Sequence, residues 1–127
     1  MSFDKIVSFL IFTVVLSCLI SESSADTGKA MWYKPVVPTA CFGKVNQGQW
    51  VASISEDLWK LGKYKCGQIL TISCVGGQYP CKAGSKSIEV KIVDHWVAPD
   101  VKFIAISKQA FSSIADPLAG QIPIQFY

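Results

Sequence analysis

The chain has 127 residues, half of them hydrophobic and 12 % aromatic, a composition that suits one globular domain and excludes a disordered or repetitive chain. Its 12 basic residues are all lysine, set against 9 acids for a net charge of +3. Without guanidinium forks or a basic stripe, nucleic acid is not expected as a partner, and a single histidine argues against a zinc site or any other metal cofactor.

Residues 1–5 form a short start with one lysine, residues 6–20 an almost unbroken apolar run, and residues 21–25 a small, polar stretch apart from Glu22. Ser23 and Ala25 are small residues at the positions a signal peptidase reads, so residues 1–25 are expected to be a secretory signal peptide and residues 26–127 the mature domain. The apolar run falls short of the roughly 20 residues of a spanning helix, so no transmembrane anchor is expected. Cleavage leaves 102 of the 127 residues, with 11 lysines against 7 acids and a charge of +4. Dispersed lysines of this kind chiefly keep a surface soluble.

Along the mature part, short apolar or alternating runs read as strands over 30–33, 50–54, 69–75, 88–93, 103–106 and 122–126. In the fourth run Ile88, Val90 and Ile92 face one side and Glu89 and Lys91 the other, the mark of a sheet with one dry face. Gly67, Gly76, Gly77, Pro80, Gly84 and Pro99 punctuate the runs. Ser55 is placed to cap a single helical turn carrying Leu58 and Trp59, with Glu56 and Asp57 at its positive end and Gly62 stopping it. Ser107 is placed to cap a helix over 108–115 in which Phe111, Ile114 and Ala115 share a face, before Asp116 and Pro117 end it. Six short strands and two small helices predict a compact, mainly β barrel.

Cys18 falls in the leader, and Cys41, Cys66, Cys74 and Cys81 remain. An even number in a small secreted chain points to disulfides, with three pairings open. No Cys-x-x-Cys occurs, so a structural role is favoured over redox chemistry. Asn46, the only asparagine, is followed two places on by Gly48, so no N-linked glycan acceptor exists.

The stretch "IVDHWVAPDVKFIAIS" holds the only histidine, His95, between Asp94 and Trp96. Adjacent strand residues point to opposite faces, so Asp94 and His95 are not expected to cooperate as acid and base, and no Gly-x-Ser-x-Gly elbow supplies a nucleophile. His95 reads as a solvated loop histidine. Trp32, Tyr33, Trp50 and Trp96 offer flat faces for sugar rings, although a small barrel also needs large side chains to fill it. Tyr33 and Trp96 stand foremost by their loop positions, with Asp94 beside them. Trp59 with Leu58 reads as packing of helix on barrel, and Lys60, Lys63 and Lys65 as a solvated face.

The ordered motifs "GKAMWYKPVVPTACFG", "VASISEDLWKLGKYKCG", "LTISC", "IEVKIVD" and "ISKQAFSSIADPLAGQIPIQFY" together resemble the plant natriuretic peptide and expansin-like single-domain secreted proteins of plants. The resemblance runs from about Gly28 to Tyr127. It implies a six-stranded double-psi β-barrel stapled by disulfides, the fold of the first domain of expansins and of family-45 endoglucanases, with Cys41 paired to Cys66 and Cys74 to Cys81. Relatives typically carry a third disulfide where Trp96 and Asp100 stand here, and an aspartate where Ala105 stands. Two-domain expansins place a further cysteine at Ile69.

Inverting glycoside hydrolysis needs two carboxyls, one protonated and one ionised. Ala105 occupies the acid's place, and no Asp or Glu lies between Asp26 and Glu56 to supply the other. The resemblance therefore implies a non-enzymatic, apoplastic, monomeric protein. Its implied role is that of an extracellular signal in water and solute homeostasis or stress response, with the segment 30–63 associated with activity. The alternative is a module that binds or loosens cell-wall polysaccharide. The corresponding partners are a plasma-membrane receptor or a wall polysaccharide.

Overall fold

The computed structural model describes residues 25–127, so the leader expected over 1–25 lies, apart from Ala25, outside the described residues. Six strands alternate with short helices: β1 (Asp26–Tyr33), β2 (Val51–Ser55), α1 (Glu56–Lys60), β3 (Ile69–Cys74), β4 (Ile88–Trp96), β5 (Phe103–Ser107), α2 (Lys108–Ile114), a 3-10 turn (Pro117–Ala119) and β6 (Gln121–Phe126). They close into a barrel in the order β1-β5-β2-β4-β3-β6, with β6 returning to β1. The pairs β1/β5 and β2/β4 are parallel and the rest antiparallel.

Alternation fills the interior. Ala30, Ile54, Ile72, Ile92, Ile104 and Phe126 all point inward and are fully buried, while β6 alternates exposed and buried along its whole length. Each large aliphatic side chain so removed from water stabilises the fold by about 1.5 to 3 kcal/mol. Both expected strands at the site are longer than their apolar runs suggest. β1 starts at Asp26 because it pairs with β6 from its first residue, and β4 runs on to Trp96 because Ser53–Ser55 continues the pairing.

The helices follow their caps. The Ser55 hydroxyl accepts from the Leu58 amide at 3.2 Å and the Ser107 hydroxyl from the Ala110 amide at 3.1 Å, each satisfying a first-turn donor. Leu58 is buried under α1, and Ala110, Phe111 and Ile114 under α2. The second helix ends one residue before its expected limit, because Ala115 turns extended and bridges to Cys81.

Disulfides join Cys41 to Cys66 and Cys74 to Cys81. At the start of β1 the Asp26 carboxylate accepts from the Tyr64 hydroxyl and from Lys63 at 2.9 Å, with Lys102 at 3.8 Å. The Tyr64 bond, then that of Lys63, holds the Asp26 carboxyl below the usual carboxylate range. Burial and the bond to Asp26 push the Tyr64 phenol up to about 12. Lys63 is thus an ion-pair partner rather than a member of a free cationic face. Gly28 allows a close approach of two backbones, since a Cβ there would lie 2.2 Å from the Lys102 carbonyl oxygen, which accepts from the Lys29 amide at 3.0 Å.

Candidate functional site

Four neighbouring strands set the floor of a groove on the barrel's outer face. Met31 on β1 pairs with Ala105 on β5, Ala105 with Ser53 on β2, and Ser53 with Asp94 on β4. These four side chains form one row of the wall of a cavity of about 280 Å³. Ala105 and Ser53 at the middle of the row are small, which leaves the floor low.

A β-bulge decides what Asp94 does. Ala52 pairs with Ile92 and the next residue, Ser53, with Asp94, so Val93 is left as the extra residue. In unbroken pairing Val93 would oppose Ser53 and Asp94 would follow Ile54 toward the interior. The bulge returns the carboxylate to the outer face, as bulges beside functional sites commonly do. Its Oδ1 accepts from the His95 amide at 2.9 Å and the Ala40 amide at 3.3 Å, so the group is held from both sides.

Tyr33 and Trp96 flank this floor and line the same cavity. β1 is parallel to β5, β5 antiparallel to β2, and β2 parallel to β4. β1 and β4 therefore run in opposite directions, and the two aromatic residues, each near the end of its strand, stand diagonally across the row. Burial, and secondarily the Asp94 charge, push the Tyr33 phenol up to about 12, so it is a neutral donor at physiological pH. Trp96 is half-buried, its ring edge-on to Phe103 with centroids 6.1 Å apart.

Three sequence expectations need correction. Trp32 does not join the groove, because alternation along β1 turns it to the other side, where its indole donates to the Pro117 carbonyl at 2.9 Å and Lys108 sits 4.7 Å over its ring. Trp50 is 43 % exposed but precedes β2 and is not part of the cavity wall. His95 is no solvated loop residue: it lies in β4, stacks on Trp59 at 4.7 Å and places Nδ1 3.6 Å from a Glu56 carboxylate oxygen. That nitrogen is buried with no hydrogen-bond partner among the described residues. Met31 and Ser53 were missed, although the spacing of Met31 from Tyr33 places both on one face of a strand.

A double-psi β-barrel family described as lytic transglycolase matches residues 51–126. An EG45-like domain containing protein of Citrus jambhiri is 39 % identical over 124 residues, covering 92 % of each chain. EG45-like domain containing protein 1 of Arabidopsis thaliana is 36 % identical over 124 residues, covering 94 % of this chain and 97 % of its own. The chain belongs to the EG45-like domain family. Among solved structures, a variant of Clavibacter michiganensis expansin in complex with cellohexaose superposes with a TM-score of 0.62 at 21 % identity. The match covers 81 % of this chain and 49 % of that one, so this EG45-like domain spans about half the expansin's length. The six-stranded barrel of the EG45-like chain is therefore a double-psi β-barrel, expansin-like in fold, as its motifs imply.

Proposed function

We propose that this EG45-like domain is a secreted, non-catalytic module of the plant cell wall that holds a segment of polysaccharide in the groove between Tyr33 and Trp96. The observation that carries the reading is the pairing row Met31, Ala105, Ser53, Asp94, a low floor with one carboxylate and an aromatic side chain at each diagonal corner. Flat apolar faces with a few fixed polar groups suit sugar rings. Hydrolysis is disfavoured by the methyl of Ala105 in the acid's place, since inversion needs a second carboxyl across the scissile bond. A monomer that works without cofactor or nucleic acid suffices for such binding. The cellohexaose bound to the Clavibacter expansin makes a β-glucan the first ligand to try.

A second reading, an extracellular signal in water and solute homeostasis or stress response, draws on the same surface. The segment 30–63 supplies Met31, Tyr33, Val36 and Ser53 to the groove, so a plasma-membrane receptor would read the wall that a glycan reads. The test is a pull-down of the mature protein on cellulose, xyloglucan and pectin at low and high salt, with Tyr33→Ala and Asp94→Ala alongside. Salt-resistant retention lost in Tyr33→Ala supports glycan binding. No retention, or retention abolished by salt alone, overturns it and favours the receptor.

A further inference from the structure

Beside the groove lies a second cavity of about 370 Å³, larger than the first. The two are in series on one face. Val36 belongs to the walls of both, and β2 gives Ser53 to the first and Val51 to the second, two residues and hence about 6.6 Å apart along the strand. On β4 the bulge divides them: Asp94 lines the first cavity and Val93 the second.

Among the described residues no charged side chain lines the second cavity. Its polar wall is built from Thr39, Asn46, Gln47 and Gln49, set against Val36 and Val51. The Asn46 side-chain oxygen already accepts from the Gly48 amide at 2.7 Å, and that of Gln47 from Lys91 at 3.0 Å. Each carboxamide is thereby oriented, leaving its NH₂ group to donate. The wall is also fixed in place: the Cys41 amide donates to the Val93 carbonyl at 3.0 Å, and Cys41 is bonded to Cys66. Two oriented amide donors, on Asn46 and Gln47, set against apolar surface match the hydroxyl and ring oxygens of an uncharged sugar. It offers no counter-charge to a uronate, since the Lys91 ammonium is engaged by Gln47 and lies 5.7 Å over the Phe42 ring.

We propose that this cavity is a second subsite, taking the continuation of a neutral polysaccharide chain past Val36 and selecting uncharged over uronate-bearing glycans. The proposal rests on the groove reading above and extends it to length and charge selectivity.

The test is calorimetric titration of the mature protein with cello-oligosaccharides from cellobiose to cellohexaose, and with oligogalacturonides of equal lengths. Wild type, Tyr33→Ala and the double variant Gln47→Ala/Gln49→Ala are compared, with circular dichroism confirming that each is folded. Affinity is expected to rise about tenfold or more between the short and long neutral chains, the order of one or two added hydrogen bonds. The double variant should lose that gain and bind the short chains as wild type does, whereas Tyr33→Ala should lose affinity at every length. Length-independent affinity, or a gain that survives in the double variant, overturns the second subsite and leaves the groove intact. An equal gain for oligogalacturonides overturns the neutral selectivity. Absence of binding by every oligosaccharide overturns the groove and the subsite together.

Discussion

Tyr33 and Asp94 lie on the wall of one cavity, brought there by strands that are not neighbours, and the carboxylate helps to keep the phenol protonated. Burial raises the Tyr33 pKa first and the Asp94 charge adds to it, reaching about 12. Asp94→Asn removes only the second cause. Its phenol should therefore ionise at lower pH than in wild type yet still above the ordinary value of about 10, as ultraviolet difference titration against Tyr33→Phe will read. The same variant should weaken glycan retention about tenfold if the carboxylate accepts a sugar hydroxyl.

Trp96 serves both packing and groove, and two substitutions separate these roles. Trp96→Ala removes a half-buried ring from Phe103 and should destabilise by about 2 to 3 kcal/mol, somewhat below the range for a fully buried aromatic. Trp96→Phe retains an aromatic face and should cost less than about 1.5 kcal/mol. Urea unfolding of the three proteins measures both figures.

Asp26 sets an acid limit on stability. Its carboxyl titrates below the usual range in the folded chain, through the Tyr64 and Lys63 bonds, so its contribution is present above the unfolded value of about 3.9 and is lost as pH falls through the folded pKa. Melting curves of wild type and Asp26→Asn should lie apart at pH 6 and converge as the pH falls below the unfolded value of about 3.9. A gap that stays constant across this window would count against the pair. On the alkaline side the sign reverses: Tyr64 ionises at about 12 when folded and at about 10 when unfolded, so wild type should lose stability between those values and Tyr64→Phe should lose less.

Gly28 is required by contact rather than by backbone angle. Its Cβ would sit 2.2 Å from a main-chain oxygen of Lys102, and backbone cannot swing aside as a side-chain tip can. Gly28→Ala should cost about 3 kcal/mol, at the upper end of overpacking penalties, and thermal unfolding will measure it. An unchanged melting point would mean that β1 and β5 separate readily at this end.

The two disulfides should differ in worth by loop length. Separations of 25 and 7 residues correspond to about 3.5 and about 2.4 kcal/mol of loop entropy. Cys41→Ala/Cys66→Ala should therefore lower stability more than Cys74→Ala/Cys81→Ala, in denaturant unfolding of each pair.

Local patterns in the sequence determined the strands, the two serine caps and the inward face of each run, because alternation and capping act over a few residues. They also singled out Tyr33, Asp94 and Trp96, which the structure brings to one cavity. Parity could not reveal the bulge at Val93, which reverses every side chain after it and carries Asp94 outward. Nor could it show that β5 and β2 lie between β1 and β4, the arrangement that sets Met31, Ala105, Ser53 and Asp94 in a row. The stacking of His95 on Trp59 and the departure of Trp32 toward Pro117 were equally hidden. Each depends on which distant strand or helix becomes a neighbour, and that is decided when the barrel closes and all six strands compete for one interior.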